Sequence, residues 1–353
     1  MTTLPELHPR LIPHENSSSI CEAYRRIQEL EKATTTDTQP EHLIYARILG
    51  YLMLEGPTDQ AGVTMAQGII SCVTDTDIFE LGKKYMHCYL RVLMSRRPTH
   101  FDSSEVSRPS YDAVQGMLKT KLFQAPEDHQ TAKRDALIRD GYRCPLTGAY
   151  DRTSLKSYPE VRRMALEAAK PAYRLHCAHI FPNFVNDPSK EAVSTTDTIK
   201  QNQGNYAASV HEVLRSFGYV TLFDDLSGRK IHRLDNILIL DPVAHDHFDH
   251  LELWFEPMPG REDTYHVRYS DSIFSHKEWK TEIKFTSPDP ELLPLPNPEY
   301  LKLHASCARV AHLSGAGKYI EELSGDLEDS LVLAEDGGSA GTLEYALTPW
   351  ANT

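Results

Sequence analysis

Four residues stand at spacings that could support hydrolytic chemistry: His179, Asn236, His245 and Asp249. His245 and Asp249 are four positions apart. In a helix such positions share a face, so an imidazole nitrogen and a carboxylate oxygen would converge on one point. That donor pair suits a divalent cation. His179 is followed by Ile180, Phe181 and Pro182, which reads as a strand running into a loop. Brought opposite the helix pair, His179 would take a proton from water while the cation stabilises charge on a phosphate and its leaving oxygen. Asn236 stands nine residues before His245 and would hold the His179 imidazole in one tautomer through its side-chain carbonyl.

Each of these residues also has a plainer use. His179 could be a hydrogen-bonding residue in a strand-to-loop turn, Asn236 a turn residue, and His245 a helix-surface imidazole. Asp249 would lie near a helix C-terminus, where a carboxylate opposes the macrodipole. That mild cost favours a cation or hydrogen-bond role. His247 and His250 read as surface or loop residues, Cys144 and Cys177 as buried thiols, and Trp254, Met65, Met86 and Met94 as core. His176 reads either way.

The elements that must position the four follow from periodicity. Residues 18–96 carry apolar residues at helical steps, such as Ile20, Tyr24, Ile27 and Leu30. They predict an all-helical N-terminal domain, with Thr36, Asp37, Thr58 and Asp75 as candidate caps. Residues 1–17 read as a flexible leader and 97–127 as a linker. The segment 128–320 holds the site. Residues 173–181 and 236–240 read as strands, AHDHFDH (244–250) as a helix, LELWFEP (251–257) and TYHVRY (264–269) as further strands, and Pro298 opens a helix. Residues 321–353 are acidic and read as a disordered tail.

Composition sets the class. The chain has 353 residues, room for about two domains. No apolar run reaches the ~20 residues that span a bilayer, and the N-terminus lacks a basic region followed by an apolar core. An intracellular protein, cytoplasmic or nuclear, is expected, with no membrane partner. Six scattered cysteines include no CxxC pair, which points to reduced thiols rather than a disulfide scaffold. The net charge of −13 argues against a strong nonspecific nucleic-acid binder. Charge is unevenly spread, however: residues 131–180 hold ten Lys/Arg, among them Arg134 and Arg139, against five acids, and eight acids but no Lys or Arg follow Lys318. The basic stretch reads as a solvated face or as phosphate contacts.

The order Ala178-His179-Ile180-Phe181-Pro182, then Asn236, His245 and Asp249, resembles the HNH endonucleases, in the branch ending His-x-x-Phe-Asp. The stretch 139–148, RDGYRCPLTG, is similar to that branch's lead-in, and LELWFEP and TYHVRY to an extension found in predicted fungal members. The resemblance covers 130–310. It implies an α+β fold: a ββα-metal (HNH-like) domain with a long insertion (183–235), preceded by an all-helical N-terminal bundle. It implies that His179 is the general base, Asn236 its orienting partner, and His245 and Asp249 the ligands of one divalent ion, Mg2+ foremost and Mn2+ or another divalent ion otherwise. The implied activity is hydrolysis of phosphodiester bonds in DNA, or RNA. The chain departs from the pattern at Ala178, where many members place a ligand. Cys177 shares strand parity with His179, but a thiolate suits Mg2+ poorly. Cys144 has Thr147 where a CxxC partner would stand, so no zinc knuckle is expected. These departures support the competing reading of a catalytically degenerate HNH fold that binds nucleic acid or protein.

Overall fold

The computed structural model describes residues 2–6, 11, 18–34, 40–94, 110–120, 126–182 and 197–329. Helices α1 (Ser18–Ala33), α2 (Pro40–Glu55), α3 (Asp59–Ser71) and α4 (Asp75–Tyr85) come first, where apolar residues recur at helical steps. Thr58 caps α3 by accepting the Ala61 N–H. Asp75 was expected to cap α4 but lies inside it. The hydroxyl of Thr74 reaches the Asp77 N–H, and Asp77 answers to the Thr74 N–H, closing a capping box. Thr36 and Asp37 lie outside the described residues. Helix α4 continues through a π-helical turn, Met86–Leu90, into α5 (Arg91–Leu93).

Next come α6 (Tyr111–Thr120), α7 (His129–Arg139), β1 (Tyr150–Asp151), α8 (Arg152–Ser157), α9 (Pro159–Glu167), β2 (Ala172–Tyr173) and β3 (His176–His179). After α10 (Asp197–Ser216) and α11 (Leu222–Leu226), two 3-10 turns, Gly228–His232 and Leu234–Asn236, lead into β4 (Ile237–Leu240). The chain then forms α12 (Pro242–Asp249), β5 (Leu253–Pro257), β6 (Thr264–Tyr269), β7 (Glu282–Lys284), α13 (Pro298–Ser314) and α14 (Ala316–Asp329). The fold is mixed, rich in helix with small sheets.

The chain divides into two units, and neither is contiguous in sequence. One comprises Met1–Met94, Phe184–Phe223 and Ser306–Thr353. In it α1, α2, α3 and α4 pack together, α10 packs on α3 and the π turn, and α14 packs on α2. The domain expected over 128–320 therefore cedes 184–223 and 306–320. The reason is burial: Val210, Val213, Leu214 and Phe217 form an apolar face on α10 and just beyond it, and Phe217 stacks on Tyr85 with ring centroids 5.8 Å apart. The leader expected over 1–17 is anchored in its described part. Leu4 is buried, and its N–H meets the Glu31 carboxylate, which also pairs with the buried Arg47 at 2.6 Å. The tail expected from 321 starts as helix, because α14 continues to Asp329 and buries Ile320 and Leu323. Residues 330–353 lie outside the described residues. Within the linker expected over 97–127, the helical character of 111–122 in the sequence appears as α6 over 111–120, where Val114 is buried.

The other unit comprises Ser95–Asn183 and Asp224–Ala305. Its centre is a two-stranded antiparallel ladder, with His176 opposite Leu240 and His179 opposite Ile237. Strand β4 is wholly buried. Helix α7 packs on both strands, and α12 packs on β3, β4 and β5. Strands β5, β6 and β7 form a separate antiparallel meander. Trp254, expected in the core, is buried although it shares the Glu252 and Glu256 side of the alternation in 251–257, and its indole N–H donates to Glu256. Arg139 was counted with a basic face, but its guanidinium is fully buried. It grips Asp140 with two nitrogens at 2.7 and 2.9 Å and donates to the carbonyls of Leu234 and Ile237. Those bonds tie α7 to the start of β4.

Candidate active site

Helix α12 is set by its first residues. Asp241 accepts the N–H groups of Val243 and Ala244, each at 3.0 Å, and Pro242 occupies the first turn, where its missing N–H costs nothing. The register this fixes brings His245 Nε2 to 3.2 Å from Asp249 Oδ2. Phe248 anchors the helix between them. It is buried and its ring lies flat on that of His304, while Nε2–H of His304 donates to the Phe248 carbonyl at 3.1 Å.

His179 stands at the end of β3, and the chain leaving it is clamped by Asn236. Asn236 is fully buried. Its Oδ1 accepts the Phe181 N–H at 2.8 Å, and its Nδ2 donates to the carbonyls of Phe181 and Ile231 at 3.0 and 3.1 Å. The side-chain carbonyl that was expected to orient His179 is therefore engaged by backbone. The residue that meets His179 is His232, with Nδ1 at 3.3 Å from His179 Nε2.

Further imidazoles complete the cluster. The His129 ring, at the start of α7, is 5.9 Å from that of His179. His176 Nδ1 meets His245 Nδ1 at 3.1 Å. Strand parity sets His176 on the face opposite His179, but it comes to the same cluster through α12. His247 turns away and bonds Glu252 at 2.6 Å. Sequence reading missed His129 and His232, which lie 50 and 53 residues from His179. The one local signal was a histidine four positions before Asn236.

Burial holds the His179, His245 and His176 rings neutral. Burial, followed by the neighbouring His232, His129 and His245, lowers the His179 pKa to about 3. Burial, then His176, His129 and Lys133, lowers that of His245 to about 3. His176 is lowered by burial and then by Lys133 and Arg174. Near neutral pH each ring thus keeps a lone pair for a proton or a cation. The Asp249 carboxyl is raised to about 7, by burial and then by the Asp246 charge. Its carboxylate would welcome added positive charge. Cys177 is raised to about 12 by burial and offers no thiolate. Cys144 is buried, with its sulfur 4.0 Å from Asp241 Oδ2.

A divalent ion fits this donor set in a limited way. Two donors 3.2 Å apart match the edge of a coordination shell with bonds of about 2.1 Å. Ala178 is buried and cannot ligate, and among the described residues no group of three His, Cys, Asp or Glu side chains is arranged for a metal. Mg2+ tolerates this, since it commonly keeps several waters and takes only one or two protein ligands beside substrate phosphates.

The family model described as HNH endonuclease matches residues 144–256. No match is found among curated proteins or among solved structures. No helix of the described residues is long and apolar enough to cross a membrane. The matched segment contains β3, β4, α12 and the residues His179, Asn236, His245 and Asp249, and over this stretch the chain is similar to the HNH endonuclease family.

Proposed function

We propose that this protein is a metal-dependent endonuclease that hydrolyses phosphodiester bonds in DNA, with RNA as the alternative polymer. The observation that carries the reading is the His245–Asp249 pair, 3.2 Å apart on a helix that packs against the strand bearing His179. In this reading β3, β4 and α12 form the ββα-metal motif of the His-x-x-Phe-Asp branch. His245 and Asp249 hold one divalent ion, Mg2+ first and Mn2+ as a substitute. When bound, the ion supplies stabilisation of charge on the phosphate and the departing oxygen. His179, neutral near pH 7, takes a proton from the attacking water. Asn236 serves this step through the backbone, by fixing the chain at Phe181. Lys133, whose charge is felt at both His176 and His245, supplies a cation for phosphate in this reading. We place the protein in the cytoplasm or nucleus, where the free thiols of Cys88, Cys144, Cys177 and Cys307 would persist.

A second reading is favoured by the buried Ala178 beside His179. A fold that lacks the customary ligand there could bind nucleic acid or a protein partner without turnover. Nicking of supercoiled plasmid separates the two. The nuclease reading requires cleavage with Mg2+ or Mn2+ that chelator abolishes and that His179→Ala lowers by about 10²-fold or more. No cleavage with either ion, or equal cleavage by the variant, would reject it.

A further inference from the structure

The cluster contains two imidazoles that face each other through single nitrogens, His179 Nε2 and His232 Nδ1, 3.3 Å apart. One hydrogen occupies such a contact, so one ring donates and the other accepts. If His232 donated, Nε2 of His179 would be occupied as an acceptor and its Nδ1 would carry the remaining proton. No lone pair would be left for water. In the opposite arrangement His179 donates from Nε2–H, and its Nδ1 lone pair is open. Resting on the reading of His179 as the general base, we propose that His232 is its positioning residue, accepting Nε2–H of His179 and leaving Nδ1 as the base nitrogen.

Three features of the structure support the assignment. Asn236 cannot take this part, because its three bonds all go to the backbone of Phe181 and Ile231. Those same bonds bring the two rings together. Phe181 lies two residues after His179, Ile231 immediately precedes His232, and one buried amide links both segments. His232 is itself held in a 3-10 turn closed by the Arg233 N–H on the Lys230 carbonyl at 3.0 Å. The third feature is charge. Asp128, which caps α7, has its carboxyl held below the usual range, first by the Thr131 N–H and with His232 among the lesser causes. A carboxylate near His232 stabilises the positive charge that the hydrogen-bonded ring pair carries once His179 has taken a proton. When water gives its proton to Nδ1 of His179, the hydroxide remains for attack. The resulting imidazolium still donates from Nε2 to His232, so the bond strengthens without rearrangement.

The test reads the tautomer directly. In the full-length protein without added metal, 15N chemical shifts of the histidine rings should show His179 as the Nε2–H tautomer. His232→Asn, which keeps an acceptor oxygen near the place of Nδ1, should retain that tautomer and most of kcat. His232→Ala should mix the tautomers and lower kcat by about 10²-fold, with KM little changed. An Nδ1–H tautomer of His179 in the unaltered protein, or a His232→Ala protein with the tautomer intact, would overturn the proposal. If neither the unaltered protein nor any variant cleaves, the nuclease reading fails, while the ring shifts still decide the pairing.

Discussion

His304 lies parallel to Phe248, with ring centroids 3.8 Å apart and planes inclined by 2°, and its Nε2–H takes up the Phe248 carbonyl. That carbonyl belongs to the last turn of α12 and also accepts the Leu251 N–H at 3.1 Å, so His304 adds a side-chain donor to a turn whose acceptors have left the regular helical ladder. One side chain therefore both stacks on and caps the turn that carries Asp249. Truncating Phe248→Ala should destabilise its unit by about 3–5 kcal/mol. Denaturant unfolding of the purified protein would show a lowered midpoint at unchanged slope.

Acid should weaken the same contact. Burial lowers the His304 pKa from 6.5 to about 3, so this ring folds neutral and charges more readily when unfolded. Its contribution is full above pH 6.5, declines as pH falls toward 3, and is level below that. His304→Gln keeps an amide N–H for the carbonyl but does not titrate. Thermal melts between pH 7.5 and 4.5 should show a steeper loss of Tm for the unaltered protein than for His304→Gln. Asp249 contributes the opposite slope below pH 7, since its carboxyl is raised, but that contribution is common to both proteins and cancels in the comparison.

Asn236→Ala removes three buried hydrogen bonds. At about 1 kcal/mol each, with partners left unsatisfied, the loss should be about 3 kcal/mol or more. Because the clamp acts on backbone, stability and kcat should fall together. His232→Asn should change neither by much, and unfolding curves beside rate measurements would distinguish the two.

Asp249→Asn keeps the shape of the pair and removes its charge. Binding of Mn2+, followed by titration calorimetry, should weaken at least tenfold, roughly 1.4 kcal/mol. The fold should persist, because the short contact of the Asp249 side chain is with His245 on the same helix, and an amide can keep it. Unchanged Mn2+ affinity would move the ion away from this pair.

The strand, strand and helix of the site were legible because their signals are local. NILIL is a short apolar run, and His245 and Asp249 share a helix face by spacing alone. Asp241 and Pro242 are ordinary helix-start residues. What sequence could not give is contact across distance. His129 and His232 join His179 only after α7 and the 3-10 turn are packed on β3. Asn236 has the composition of an imidazole partner, but its bonds are decided by the backbone that surrounds it. Arg139 looked solvated because its charge is visible in sequence and its burial is not. Leu4 and α14 likewise took their order from apolar neighbours far along the chain.

The 56 residues between His179 and Asn236 bear on the order in which the protein assembles. A hairpin closed by a tight turn would form early, whereas closing a loop of this length costs about 3–4 kcal/mol of chain entropy. During synthesis β3 must wait until the stretch bearing α10 has been made and β4 has followed it. The stretch spends that interval building a different unit, where Phe217 and its neighbours find their burial. Ladder formation, and with it the meeting of His179 and His232, is thereby timed to a late step of folding. The two strands of the site stay unpaired until the chain has been made through Leu240.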